Sequence, residues 1–182
     1  MQNLPRGWRY WILYKLPNYG LVLRSIRASY FWLGPVARQE QFCTPETLNT
    51  NNQNWCDSCH NRSRWDQRQG IIAKPCDIGF FCCKSLDLAK ANIYGNQIIT
   101  ALFNPEKHRG MAYGEVELFK KIKEYKNGFI STGQIIQTLY FEPKFHEFIL
   151  TGARYSSKSI ELSNLTPKEK TELEQRYQCD VY

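Results

Sequence analysis

Met111-Ala112-Tyr113-Gly114-Glu115-Val116-Glu117-Leu118-Phe119-Lys120-Lys121-Ile122-Lys123 decides the fold class. Val116, Leu118 and Ile122 recur on one side, and Glu115, Glu117, Lys121 and Lys123 on the other. That period of two is the mark of a half-solvated β-strand. Lys126-Asn127-Gly128 follows, and Asn-Gly accepts positive φ at little cost, so residues 129–132 are expected to return as the partner strand of a hairpin. Residues 137–142 form a further candidate strand, leading to Pro143 and the aromatic patch of Phe145, His146 and Phe148.

On the N-terminal side, residues 8–14 and 20–25 are rich in aromatic and branched side chains and flank the turn formers Pro17, Asn18 and Gly20, the signature of an antiparallel hairpin. A short strand around 30–33 ends at Gly34-Pro35. Residues 85–93 predict a short helix capped by Ser85, with Leu86, Ala89 and Ile93 at helical spacing, and residues 98–103 a strand. Thr166-Pro167-Lys168-Glu169 supplies the N-cap, N1 proline and N3 glutamate of a capping box, starting a helix over 166–178. Its apolar face is thin, mainly Leu173 and Tyr177, which predicts light packing.

The chain has 182 residues, 42% of them hydrophobic and 14% aromatic, enough for one domain with a sheet-type aromatic core. Lys15, Pro17 and Asn18 break the first apolar stretch before it reaches the length of a signal or a membrane span. The expectation is a cytoplasmic chain with no membrane partner, in which the seven cysteines are reduced thiols or metal ligands.

From Gln39 to Lys74 the apolar pattern disappears, and so long a stretch needs another anchor. Cys43, Cys56-Asp57-Ser58-Cys59-His60 and Cys76 provide one, because a Cys-x2-Cys knuckle places two thiolates on one ion and two flanking ligands complete a tetrahedron. The expected cofactor is a structural zinc ion on Cys43, Cys56, Cys59 and Cys76, with His60 as substitute ligand, so that 39–83 forms a metal-anchored insertion in the single domain 1–182. The alternatives are packed reduced cysteines and c-type haem attachment at Cys56-x-x-Cys59-His60. Cys82 and Cys83 follow Phe80-Phe81 and read as buried, and Cys179 as free. A Cys/His enzyme would use His60, His108 or His146, but no nucleophile motif fixes a catalytic pair. His108 is expected in a surface loop and His146 in the core.

The net charge is +7, and residues 1–40 hold six Lys/Arg against one acid while 111–182 hold ten of each sign. Arg6, Arg9, Lys15, Arg24 and Arg27 are therefore the candidate phosphate contacts for RNA or DNA, with Trp11, Tyr30 and Trp32 as stacking platforms. The competing reading puts the aromatics inward and leaves the arginines solvated.

Gly114 to Phe129 resembles a segment of a group of uncharacterised bacterial proteins, frequent in actinobacteria, that reads G-x-V-x-L-W-G-x-V-x-E-H-x-x-G-Y. Cys76-Asp77-Ile78-Gly79-Phe80-Phe81-Cys82 resembles that group's C-x-C-G-I-Y-A, and Gly7-Trp8-Arg9 and Leu23-Arg24-Ser25 its opening, over about residues 7–135. Ile78 replaces the motif's second cysteine, and Phe119 and Tyr125 stand where the group shows Trp and His. The resemblance implies that Cys43, His60 and Cys76 are kept as ligands and that Cys56 or Cys59 replaces the lost one. It transfers no activity.

The sequence thus predicts an α+β domain: a mostly antiparallel, partly curled sheet with a short central helix, a C-terminal helix and a zinc-stabilised Cys/His loop. The expected function is a non-enzymatic binding module, with nucleic acid as partner, or alternatively a protein-interaction adaptor in a larger assembly.

Overall fold

The computed structural model describes residues 4–25, 31–38, 80–95, 104–151 and 154–182. β1 (Arg6–Leu16) and β2 (Gly20–Ser25) form the expected hairpin, in register from Leu16↔Gly20 to Trp11↔Ser25. Gly20 turns the chain with φ +68°. β3 (Phe31–Trp32) continues the sheet from β2, and β4 (Val36–Arg38) crosses to pair with β7 (Gly128–Ile136). The predicted alternating strand is β6 (His108–Glu124). It pairs antiparallel with β1 over residues 108–117 and with β7 through the predicted Asn127-Gly128 turn. β8 (Thr138–Glu142) carries the β7 line onward along β6.

β5 (Phe80–Cys83) pairs with β7 along its length and meets β1 at Trp8↔Cys83, so β1, β6, β7 and β5 close into a ring of strand pairings. Two glycines permit this closure. A Cβ on Gly7 would lie 2.4 Å from Cys82 Sγ and 2.9 Å from the Cys83 carbonyl oxygen, and one on Gly128 only 2.2 Å from the Cys82 carbonyl oxygen. The thin β1–β5 seam is held by side chains. Arg9 Nη1 donates to the Phe81 carbonyl (2.9 Å), and Gln134 Nε2 to that of Phe80 (2.9 Å).

One face of the sheet gathers Trp11, Leu13, Leu23, Trp32, Val116 and Leu118 against the last helix; the other gathers Tyr10, Ile12, Met111 and Phe145 with Ala89. β1 is thus buried on both faces, which is why Tyr10-Trp11-Ile12-Leu13 runs apolar without alternation. Helix α1 (Leu86–Gly95) lies where predicted, Ser85 Oγ accepting from the Leu88 N–H at 3.3 Å. β9 (Lys144–Thr151) and β10 (Arg154–Glu161) make a separate two-stranded sheet that the sequence reading did not separate from its aromatic patch. The strand predicted over 98–103 lies outside the described residues.

Helix α2 (Pro167–Tyr177) has the predicted capping box, with Leu173 and Tyr177 as its buried residues. The apolar packing is as light as expected, with two buried side chains, and polar groups add to it. Arg109 grips Glu169 with two hydrogen bonds of 2.8 and 3.0 Å and donates to the Ser163 and Asn164 carbonyls. Glu172 Oε1 accepts from the Leu21 N–H at 2.7 Å. The buried Tyr177 hydroxyl accepts from the Leu23 N–H (2.7 Å) and donates to the Trp32 carbonyl (2.6 Å), bridging β2 and β3. β11 (Asp180–Val181) then pairs parallel with β8.

Gly7→Ala is expected to cost about 1–3 kcal/mol in urea unfolding, the usual penalty of overpacking, whereas Gly34→Ala, with nothing within 4 Å of the added carbon, stays near neutral. Equal stability of the two variants would refute the seam. The hydrogen bonds from Arg109, with those from Thr166, hold the Glu169 carboxyl at about 2, below its ordinary 4.5. The ionised form is therefore favoured by folding, and its stabilisation is complete above pH 4.5 and lost as pH falls toward 2. Glu169→Gln should lose about 1–2 kcal/mol at pH 7, with the deficit shrinking across that window; a deficit independent of pH would exclude the ion pair as its source.

Candidate nucleic-acid interface

The predicted zinc ligands Cys43, Cys56, Cys59, His60 and Cys76 lie outside the described residues, as do Arg27 and Tyr30. Among the described residues no cluster of three or more His, Cys, Asp or Glu is placed to hold a metal ion. Cys82, Cys83 and Cys179 are free thiols, the first two buried as expected. Burial raises the Cys82 thiol to about 12 and that of Cys179 to about 11.

The N-terminal hairpin does not present the basic aromatic face read from its sequence. Trp11 is 0% and Trp32 1% exposed, their rings 5.4 Å apart and edge-on in the core, so neither offers a face to a base. Arg9 points into the same core, its guanidinium 5.2 Å from the Trp32 centroid and hydrogen-bonded to Ser25 Oγ (2.9 Å) and Gln134 Oε1 (3.2 Å) besides the Phe81 carbonyl. A phosphate contact is the wrong role for this side chain; it ties β1 to β5. Arg6 stays exposed but pairs with Glu115 at 3.1 Å and reaches Glu117 at 3.9 Å. Lys15 is exposed, and Arg24 lies 5.9 Å over the half-buried Tyr14 ring.

A denser basic surface forms at the opposite end of β6, beyond the residues that pair with β1. Lys120, Lys121, Lys123 and Lys126 are exposed along the β6–β7 turn, and Lys84 joins them through the hydrogen bond from its backbone N–H to the Asn127 carbonyl (3.1 Å). Among the described residues Lys120, Lys121, Lys123 and Lys126 follow one another along the end of β6 and its turn, and Glu124, in register with Phe129, ion-pairs with Lys84 on the face opposite Lys123. A bulge in β6 between Phe119 and Ile122, with Lys120 at φ +63°, places Lys120 and Lys121 together opposite Thr132, and the strand twists there.

Aromatic rings accompany this charge. Phe81 (38% exposed) and Lys123 both register on Ile130, so they share one face across three adjacent strands, with backbones about 10 Å apart. Tyr125 (36% exposed) continues that face, its ring centroid 5.5 Å from Lys123 Nζ. A Cβ on Gly128 would meet the Phe81 ring at 2.7 Å, so Phe81 leans along the sheet toward the turn. The sequence reading missed this surface for two reasons. Charge averaged over 111–182 cancels, and Phe81 was grouped with the buried Phe80 although adjacent strand residues face opposite ways.

The described histidines pack. His108 is not in a surface loop: residues 104–107 make the turn, while His108 opens β6, 7% exposed and stacked 4.6 Å from Phe145. Its Nδ1 accepts from the Asn104 N–H at 2.9 Å, and burial, with Arg24 and Lys107 nearby, lowers its pKa below the ordinary 6.5. His146 is buried as expected, its Nε2 3.8 Å from Glu142 Oε1. No helix among the described residues is long and apolar enough to cross a membrane. Comparison with known proteins returns no matching family model, no matching curated protein and no matching solved structure.

Proposed function

We propose that this chain is a non-enzymatic module that binds nucleic acid through the lysine-rich end of β6 and β7, with a zinc ion stapling the cysteine-rich connection between β4 and β5. One observation carries the reading: Lys120, Lys121, Lys123 and Lys126 are all exposed at the end of β6 and in its turn, with the exposed rings of Phe81 and Tyr125 beside them. Phosphates are the anions such a surface concentrates. The Cys82 thiol, pushed to about 12, supplies no thiolate at neutral pH, and the packed rings of His108 and His146 favour a structural role over that of a base. The adaptor reading draws on Leu33 and Val36, 53% and 38% exposed where β3 passes to β4.

The zinc proposal rests on spacing and on topology. Residues 39–79 leave from β4 and return at β5, two strands that both pair with β7, so a metal that orders this connection would also deliver β5 to the seam. Elemental analysis of the untagged protein is expected to find one zinc per chain, and chelation to lower the melting temperature. A folded, metal-free protein with an unchanged melt would remove zinc from the account.

Anisotropy titration of a labelled oligonucleotide between 50 and 200 mM salt is expected to show a linear fall of log K with log salt. Replacing Lys120, Lys121, Lys123 and Lys126 together by Gln should reduce that slope by about 0.7–0.9 for each phosphate that the variant no longer neutralises. Wild-type binding that the quadruple variant reproduces in full would move the interface elsewhere, and a wild-type chain that binds no oligonucleotide would favour the adaptor.

A further inference from the structure

Phe81, Lys123 and Tyr125 lie on one face of three adjacent strands, and the geometry points to single-stranded nucleic acid as its ligand, in preference to duplex. This rests on the nucleic-acid reading and adds which form is bound and by which side chains. A duplex keeps its bases stacked inside and offers a protein phosphates and groove edges, so lysines alone would serve it. A single strand exposes base faces, and the economical receptor alternates cations with rings lying on a sheet.

The β5–β7–β6 end has that alternation. Phe81, the Ile130 floor and Lys123 form one row across the sheet, and Tyr125 stands beyond Lys123 with the Lys123 ammonium held near its ring. Successive nucleotides of an extended strand lie roughly 6–7 Å apart, so a row with backbones about 10 Å apart end to end spans two to three bases. The face owes its shape to the seam. Arg9 bonds the Phe81 carbonyl at 2.9 Å, fixing the backbone from which the Phe81 ring projects outward while Phe80 and Cys82 turn in.

The test uses the full chain and anisotropy titration of three probes over one shared series of salt concentrations: a labelled 12-nucleotide oligothymidine, a mixed-sequence duplex of equal length, and anionic phosphatidylserine vesicles in competition. Single strand should bind at least about tenfold tighter than duplex. Tyr125→Ala and Phe81→Ala should each weaken single-strand binding about 5- to 100-fold with the salt slope unchanged, as loss of a stacking platform requires, while Tyr125→Trp restores it. Circular dichroism and melting of each variant separate lost binding from lost folding, and Tyr125, at a turn, is the variant least coupled to the core. Duplex binding as tight as single-strand binding, or ring variants that bind like the wild type, would overturn this inference and leave the broader nucleic-acid reading standing. Failure of both oligonucleotides to bind would overturn that reading too, and binding to vesicles alone would assign the face to a membrane surface.

Discussion

The four-residue strand β5 fits between β1 and β7 because Gly7 and Gly128 have no side chains there, and the closed sheet depends on that fit. A ladder with a single β1–β5 residue pair is thin. Arg9 and Gln134 compensate from inside by bonding the carbonyls of Phe81 and Phe80. A guanidinium taken from water into a core of indole and phenyl rings is costly unless its hydrogen bonds are made, and the Phe81 carbonyl, Gln134 and Ser25 accept those of its two Nη groups here. The seam therefore joins a packing constraint to an electrostatic one, and both set the direction in which Phe81 points.

Leu173 and Tyr177 of α2 join the core cluster beside the paired strands β2 and β3. The helix surface is mostly polar, so its position is fixed by directed bonds: Arg109 on Glu169, Glu172 on the Leu21 N–H, and the Tyr177 hydroxyl between two strands. Such bonds fix orientation as well as proximity. The apolar area of a helix therefore underestimates its attachment when its polar side chains bond the strands directly, as Glu172 and Tyr177 do at Leu21 and Leu23.

Much of the fold was legible because strand alternation, the Asn127-Gly128 turn and the Thr166 capping box are local signals. The strands expected over 111–123 and 129–132 and the helix expected over 166–178 followed from them, within the longer β6, β7 and α2. β9 and β10 flank Gly152-Ala153, a Gly-X hairpin signal that the sequence reading did not use, and β5 is too short to show a period. The interface misled for a physical reason. Trp11 sits in a strand buried on both sides and Trp32 in a two-residue edge strand, where composition alone cannot tell an inward ring from an outward one, and Arg9 reads as a surface cation until its acceptors on β5 and β7 come together in space. In the second half, segment charge hid the separation between Glu115 and Glu117, which face Arg6, and the lysines beyond the bulge.

β6 therefore does two jobs along one strand. Its first ten residues lock onto β1, and its last seven carry cations past the end of β1 to a face lined by Phe81 and Tyr125. The most direct measurement of this division is an amide chemical-shift map of the full chain titrated with a single-stranded oligonucleotide. The account predicts that the amides of Phe81, Lys121, Lys123, Tyr125 and Ile130 move together while those of Lys15 and Tyr19 at the far hairpin turn stay in place. Shifts centred on Lys15, Arg24 and Lys107, or no shifts at all, would contradict it.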